Sequence, residues 1–134
     1  MQYEQAIYNA NDGFVTNIEK DTVENDNFRK VLYTPRNLQL VLMSIPPGGE
    51  VGEEIHPAVD QFFRIDAGEG KVILNGREIP IEDGFAFIVP EGTKHNIVNT
   101  SAKDDLKLYS IYSPPNHPPG VIQATKAEAD AEEE

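Results

Sequence analysis

The chain contains no cysteine. That absence excludes disulfides, thiolate metal ligands and cysteine nucleophiles, and leaves the redox compartment open. Basic residues are scarce as well: 11 Lys and Arg face 23 Asp and Glu, a net charge of −12. Such a surface argues against nucleic acid or an anionic membrane as a partner. Residues 125–134 carry −4 of that charge, and the remainder on the body promotes solubility without pointing to a function. No run long enough to span a bilayer occurs, and the N-terminus lacks a basic-then-apolar signal, so a soluble, cytoplasmic protein is expected. Histidine is restricted to three positions, His56, His95 and His117.

The length of 134 residues suits one domain with a single core. Residues 1–30 are polar with scattered apolar positions and the turn signal Asn11-Asp12-Gly13, which reads as an extended arm with at most one short strand. Residues 31–115 carry the core. Leu38–Ile45 is β-like and apolar on both faces, so both faces must be covered, and a second subunit is the expected second cover. Further strands follow at short spacing, separated by Pro46-Pro47-Gly48-Gly49, Asn75-Gly76, Glu82-Asp83-Gly84 and Pro90-Glu91-Gly92. No internal repeat or long helix interrupts them, so the fold class is all-β, a sandwich or barrel. Residues 116–134 form a proline-rich exit and an acidic tail. Thr125 can cap a short helix there, which its acidic C-terminal end should fray.

Chemistry concentrates between Gly48 and Gly68. Residues two apart on a strand share a face, so Glu54 and His56 can aim a carboxylate and an imidazole at one point, a pairing suited to a transition metal. If Gln61 also faces inward, so do Phe63 and Ile65, which would line an apolar pocket, while Phe62 and Arg64 face out. His117 sits among prolines with no partner at motif spacing and reads as an exposed tail residue.

The segment GFAFIVPEGTKHNIVN, Gly84 to Asn99, fits the second cupin motif, G-x5-P-x-G-x2-H-x3-N, at every fixed position. Gly48–Gly68 aligns in spacing with the first cupin motif, G-x5-H-x-H-x(3,4)-E-x6-G. DNFRKVLYT, HPAVDQFFR and YSPP, at Asp26–Thr34, His56–Arg64 and Tyr112–Pro115, also resemble a bacterial group of small single-domain cupins. The resemblance implies a double-stranded β-helix, or jelly-roll barrel, with a divalent metal (iron, manganese, nickel or zinc) held inside, and a homodimer. It places Glu54 where the family usually has its first His, His56 and His95 at the other two, and Gln61 at the family's carboxylate. The protein ligands would therefore keep a charge of −1, with the carboxylate moved from position 61 to position 54.

Two imidazoles and one carboxylate form the set used by non-haem iron oxygenases, which leaves coordination positions open. The resemblance thus implies first a dioxygenase-like oxidoreductase acting on a small organic molecule. A redox-neutral isomerase or decarboxylase, or a non-catalytic small-ligand-binding barrel, are the alternatives that it also covers.

Overall fold

The computed structural model describes residues 12–132. The first eleven residues of the expected arm and the last two of the tail lie outside them. Among the described residues are two helices and nine strands: α1 (Ile18–Glu24), β1 (Arg29–Tyr33), β2 (Gln39–Ile45), β3 (Asp60–Ala67), β4 (Glu69–Leu74), β5 (Arg77–Glu82), β6 (Ala86–Val89), β7 (His95–Asn99), β8 (Leu106–Ser113), β9 (Ile122–Gln123) and α2 (Lys126–Glu132). The strands pair antiparallel in a six-stranded sheet, ordered β6-β3-β8-β2-β1-β9, and a three-stranded sheet, β5-β4-β7. The two sheets face each other as the jelly-roll barrel expected from the motifs.

Alternation decides which side chains fill the barrel. Val41, Met43 and Ile45 of β2, Phe63 and Ile65 of β3, and Leu106, Leu108 and Tyr112 of β8 point inward with Val72, Ile81 and Ile97 from the smaller sheet. Asn75-Gly76 makes the anticipated tight hairpin, with both residues in the left-handed region (φ 49° and 85°).

The ends of the chain differ from the sequence expectation. Residues 18–24 form a helix in place of a short strand, because Asn17 caps it through the Lys20 N–H and Thr22 buries against the larger sheet. This helix packs on the outer side of β8, β3 and β2. It supplies part of the second cover of β2 that the sequence assigned to another subunit: outward-facing Leu42 is 2% exposed. The row Ile88–Phe62–Ile111–Leu40, aligned across four strands of the same face, remains partly or fully exposed. At the other end, α2 forms under the Thr125 cap as anticipated, but it docks where fraying was expected. Ala129 is buried in the core cluster, and Gln123 Nε2 donates to Glu132 Oε1 at 2.9 Å. Among the described residues no helix is long and apolar enough to cross a membrane.

Candidate metal centre

The site forms at one mouth of the barrel, where residues 49–56 run beside β7. Asn99 N–H donates to Gly49 O (2.9 Å) and Val51 N–H to Ile97 O (2.9 Å), while Glu54 and His95 exchange both backbone hydrogen bonds at 2.8 and 2.9 Å. Four residues on one side, 51 to 54, thus oppose three on the other, 97 to 95. The extra residue is accommodated at Gly52, whose φ of +104° needs glycine. The bulge sets both Val51, packed against the core, and Glu54, turned toward His95, on the barrel side. Without it, strict alternation would send one of them outward. The turn that precedes His95 also holds His56: Gly92, at φ +78°, donates its N–H to His56 O at 2.8 Å. The two sequence motifs are joined here by backbone hydrogen bonds.

One ligand atom each from Glu54, His56 and His95 lies within 4.8 Å of the others. His95 Nδ1–H donates to Thr93 O (2.9 Å), which fixes the tautomer and leaves Nε2 as a lone pair facing the site. His56 Nε2 is 3.4 Å from Glu54 Oε1. Nε2 of both histidines and Oε1 of Gln61 are buried without a hydrogen-bond partner among the described residues. Buried polar atoms are rarely left so, and two imidazole nitrogens grouped with one carboxylate suit a divalent cation. Burial alone would raise the Glu54 carboxyl, but His56, with Arg29 and His95, outweighs it and holds the pKa below the ordinary value. Burial lowers that of His95, against the pull of Thr93 O and Glu54, and keeps the ring neutral as a ligand must be.

Gln61 faces inward as anticipated and is 2% exposed; its Nε2 makes one long contact, 3.5 Å, to Ser110 Oγ. Phe63 and Ile65 face inward too, packed in the core in the layers next to Gln61, with Phe63 stacked on Phe87 at 4.8 Å. Arg64 is on the outside, 3.6 Å from Asp66, as alternation requires. Asn99, the last residue of the second motif, is structural. Its amide ties Ile45 O (2.9 Å) to Asp104 O (2.8 Å).

His117 corrects the reading as an exposed tail residue. Its Nε2 lies 3.3 Å from Tyr112 Oη and its ring meets that of Tyr112 edge-on at 5.1 Å; the Tyr112 ring in turn lies 6.1 Å from His56. The cause is Gln39, fully buried in β2. Its Oε1 accepts the N–H groups of Asn116 and His117, and its Nε2 donates to His117 O and Thr34 Oγ1. Arg29, another inward residue passed over in the sequence, is 2% exposed, donates to Gln123 Oε1 (2.9 Å), and its charge acts on Glu54. Both had a visible signal: a polar residue at the inward parity of a strand, alternating with Val41 in one case and Val31 in the other.

Residues 41–112 match the cupin domain family. The chain is 46% identical over 127 residues to YrkC, an uncharacterized protein of Bacillus subtilis, covering 90% of this chain and 68% of that one. It is similar in structure to BH2720 from Bacillus halodurans, with a TM-score of 0.87 and 45% identity over 90% of this chain and 96% of the other. An oxalate-binding protein of Thermotoga maritima is 36% identical over 62 residues, 46% of this chain and 51% of its own. With both motifs joined at one barrel mouth and the family match spanning β2 to β8, the chain belongs to the cupin family.

Proposed function

We propose that the protein is a metal-dependent oxidoreductase, dioxygenase-like, acting on a small organic molecule. The observation that carries this reading is the convergence of Glu54, His56 and His95 within 4.8 Å with both imidazole Nε2 atoms buried and unpartnered. Two imidazoles and one carboxylate would hold a metal with further positions left open. When bound, the metal would supply Lewis acidity and, if iron, manganese or nickel, redox chemistry. The chain's own residues prepare the place. Glu54 contributes the negative charge, Thr93 holds His95 in the ligating tautomer, and Gln61 offers a neutral oxygen to the metal or to its water. The apolar layer of Phe63, Phe87 and Ile65 keeps water out from below.

Elemental analysis of the purified protein, with oxygen uptake in the presence of small phenols and enolisable acids, tests the reading. Redox metal with substrate-dependent uptake is the expected result; zinc with no uptake would overturn it. A second reading, redox-neutral binding or decarboxylation of a small dicarboxylate, is favoured by the Thermotoga protein, whose name states oxalate binding. The open row Ile88–Phe62–Ile111–Leu40 supports pairing with a second copy of this chain. Light scattering on the full chain should then give twice 14.9 kDa, and a monomer at micromolar concentration would refute the pairing.

A further inference from the structure

One buried carboxamide of the barrel is nearly unsatisfied. Gln61 is 2% exposed on the inward side of β3, and its Oε1 has no hydrogen-bond partner among the described residues. Its Nε2 reaches Ser110 Oγ at 3.5 Å, the weak end of the hydrogen-bond range. Ser110 of β8 is itself fully buried. The register sets it between Val41 and Phe63, so that it brings a hydroxyl into a layer that is otherwise apolar. Gln61 pairs with Tyr112, the next inward residue of β8, whose ring lies 6.1 Å from that of His56. Burying an amide and a hydroxyl with so little between them costs free energy that packing does not return. Leucine or valine at both places would fill the barrel without that cost, as Val41, Ile65 and Leu108 do nearby. Holding the ion is a poor explanation of the amide, because Glu54, His56 and His95 already bring three ligand atoms together and a neutral amide oxygen adds little. The unmet oxygen can only accept, so what completes it is an O–H or N–H group.

We infer that Gln61 is a specificity-determining residue whose Oε1 accepts a hydrogen bond from a hydroxyl of the ligand bound in the metal's open positions. Ser110 is a positioning residue that acts through the other end of the amide. The ligand class is a small hydroxycarboxylate or enol, whose oxygen can face the metal while its hydrogen goes to Gln61. An analogue with a carbonyl at the same place sets lone pairs against lone pairs and is rejected, because the buried oxygen then stays unpaired. A neutral acceptor achieves this without a second negative charge beside Glu54. The inference rests on the metal-centre reading above and names the ligand group which that site selects.

Lactate and pyruvate are suitable probes, since the two monocarboxylates are close in size and differ in a hydroxyl or a carbonyl beside the carboxylate. The experiment titrates Mn(II) into the metal-free full-length protein by calorimetry. Each enantiomer of lactate, and pyruvate, is then titrated into the loaded protein and followed by water-proton relaxation. Wild type is compared with Gln61→Leu, Gln61→Glu and Ser110→Ala. Mn(II) affinity should fall by no more than about tenfold in Gln61→Leu. In that variant the better-bound lactate should lose about tenfold and pyruvate no more than ~2-fold. Gln61→Glu keeps an acceptor and should keep the preference for lactate over pyruvate. Ser110→Ala should cost lactate about threefold and leave pyruvate unchanged, which carries the comparison if Gln61→Leu does not fold. Equal losses for both probes, unchanged lactate binding, or a loss confined to pyruvate would overturn the inference and leave the metal centre standing. So would a wild type that binds Mn(II) but neither probe, or a ~100-fold loss of Mn(II) in Gln61→Leu, which would make Gln61 a ligand. A wild type that binds no metal on reconstitution would overturn the metal centre, and this inference with it.

Discussion

Replacing His117 by glutamine removes a titratable group from the barrel mouth and leaves a side chain that can still hydrogen-bond. In the wild type, burial first and the Arg29 charge second lower the imidazole from its ordinary 6.5 to about 4, with Glu54 pulling the other way. Above pH 6.5 the ring is neutral in the folded and the unfolded chain, so its stabilising contribution is complete. Below 6.5 the unfolded chain binds a proton that the folded chain refuses until about pH 4, and stability is lost across that window. The gap corresponds to about 3 kcal/mol in full, of which about 2 kcal/mol has gone by pH 5. For a domain of this size that is about 8 °C in Tm. Urea unfolding of the chelator-treated protein at pH 7.5, 6 and 5 measures it. Every other ionisable group is common to both proteins, so the difference between wild type and variant isolates position 117. The wild type should lose about 2 kcal/mol more than His117→Gln between pH 7.5 and 5. Parallel profiles would show that the ring is solvated after all and that Gln39 does not seat it.

The ligand assignment is open to a direct contrast. His95→Ala should weaken binding of a divalent metal by at least ~100-fold and His117→Ala by no more than ~3-fold, as read by calorimetry; equal losses would place the site elsewhere. Glu54→Gln removes the one carboxylate of the group and should cost at least ~100-fold in metal affinity, against about tenfold or less for Gln61→Ala. The reverse order would show that the negative charge at position 54 is not what holds the ion. Gly68, at φ +92° with Asp105 O only 2.6 Å from where a Cβ would stand, cannot accept a side chain without backbone movement. Gly68→Ala should therefore destabilise the fold by about 2 kcal/mol or more in chemical denaturation, and a wild-type midpoint would mean that the β3–β4 turn relaxes freely.

The sequence made legible what local spacing determines. Alternation placed Gln61, Phe63 and Ile65 inside and Arg64 outside, and the spacing of Gly84, Pro90, Gly92 and His95 brought a histidine to the start of β7 beside Glu54. Contacts between distant segments were not legible, because a proline-rich stretch has no periodicity to read. Nothing near Asn116 or His117 announces that a glutamine on β2 will hold their backbone. The bulge at Gly52 shows the same limit on a smaller scale. Strict alternation put Glu54 and His56 on one face of a strand; the structure groups both with His95 from a segment outside the named strands, and alternation did not show how Val51 and Glu54 could both turn inward. The structure resolves this with an extra residue opposite His95–Ile97, at a glycine whose φ no other residue adopts without strain. A carboxylate moved to position 54, as proposed, would therefore depend on a backbone feature as well as on a substitution. In the proposed centre, position 54 could serve a metal only because Gly52 lets the chain turn Glu54 toward His95, so the side chain at 54 and the glycine two residues before it act as one unit.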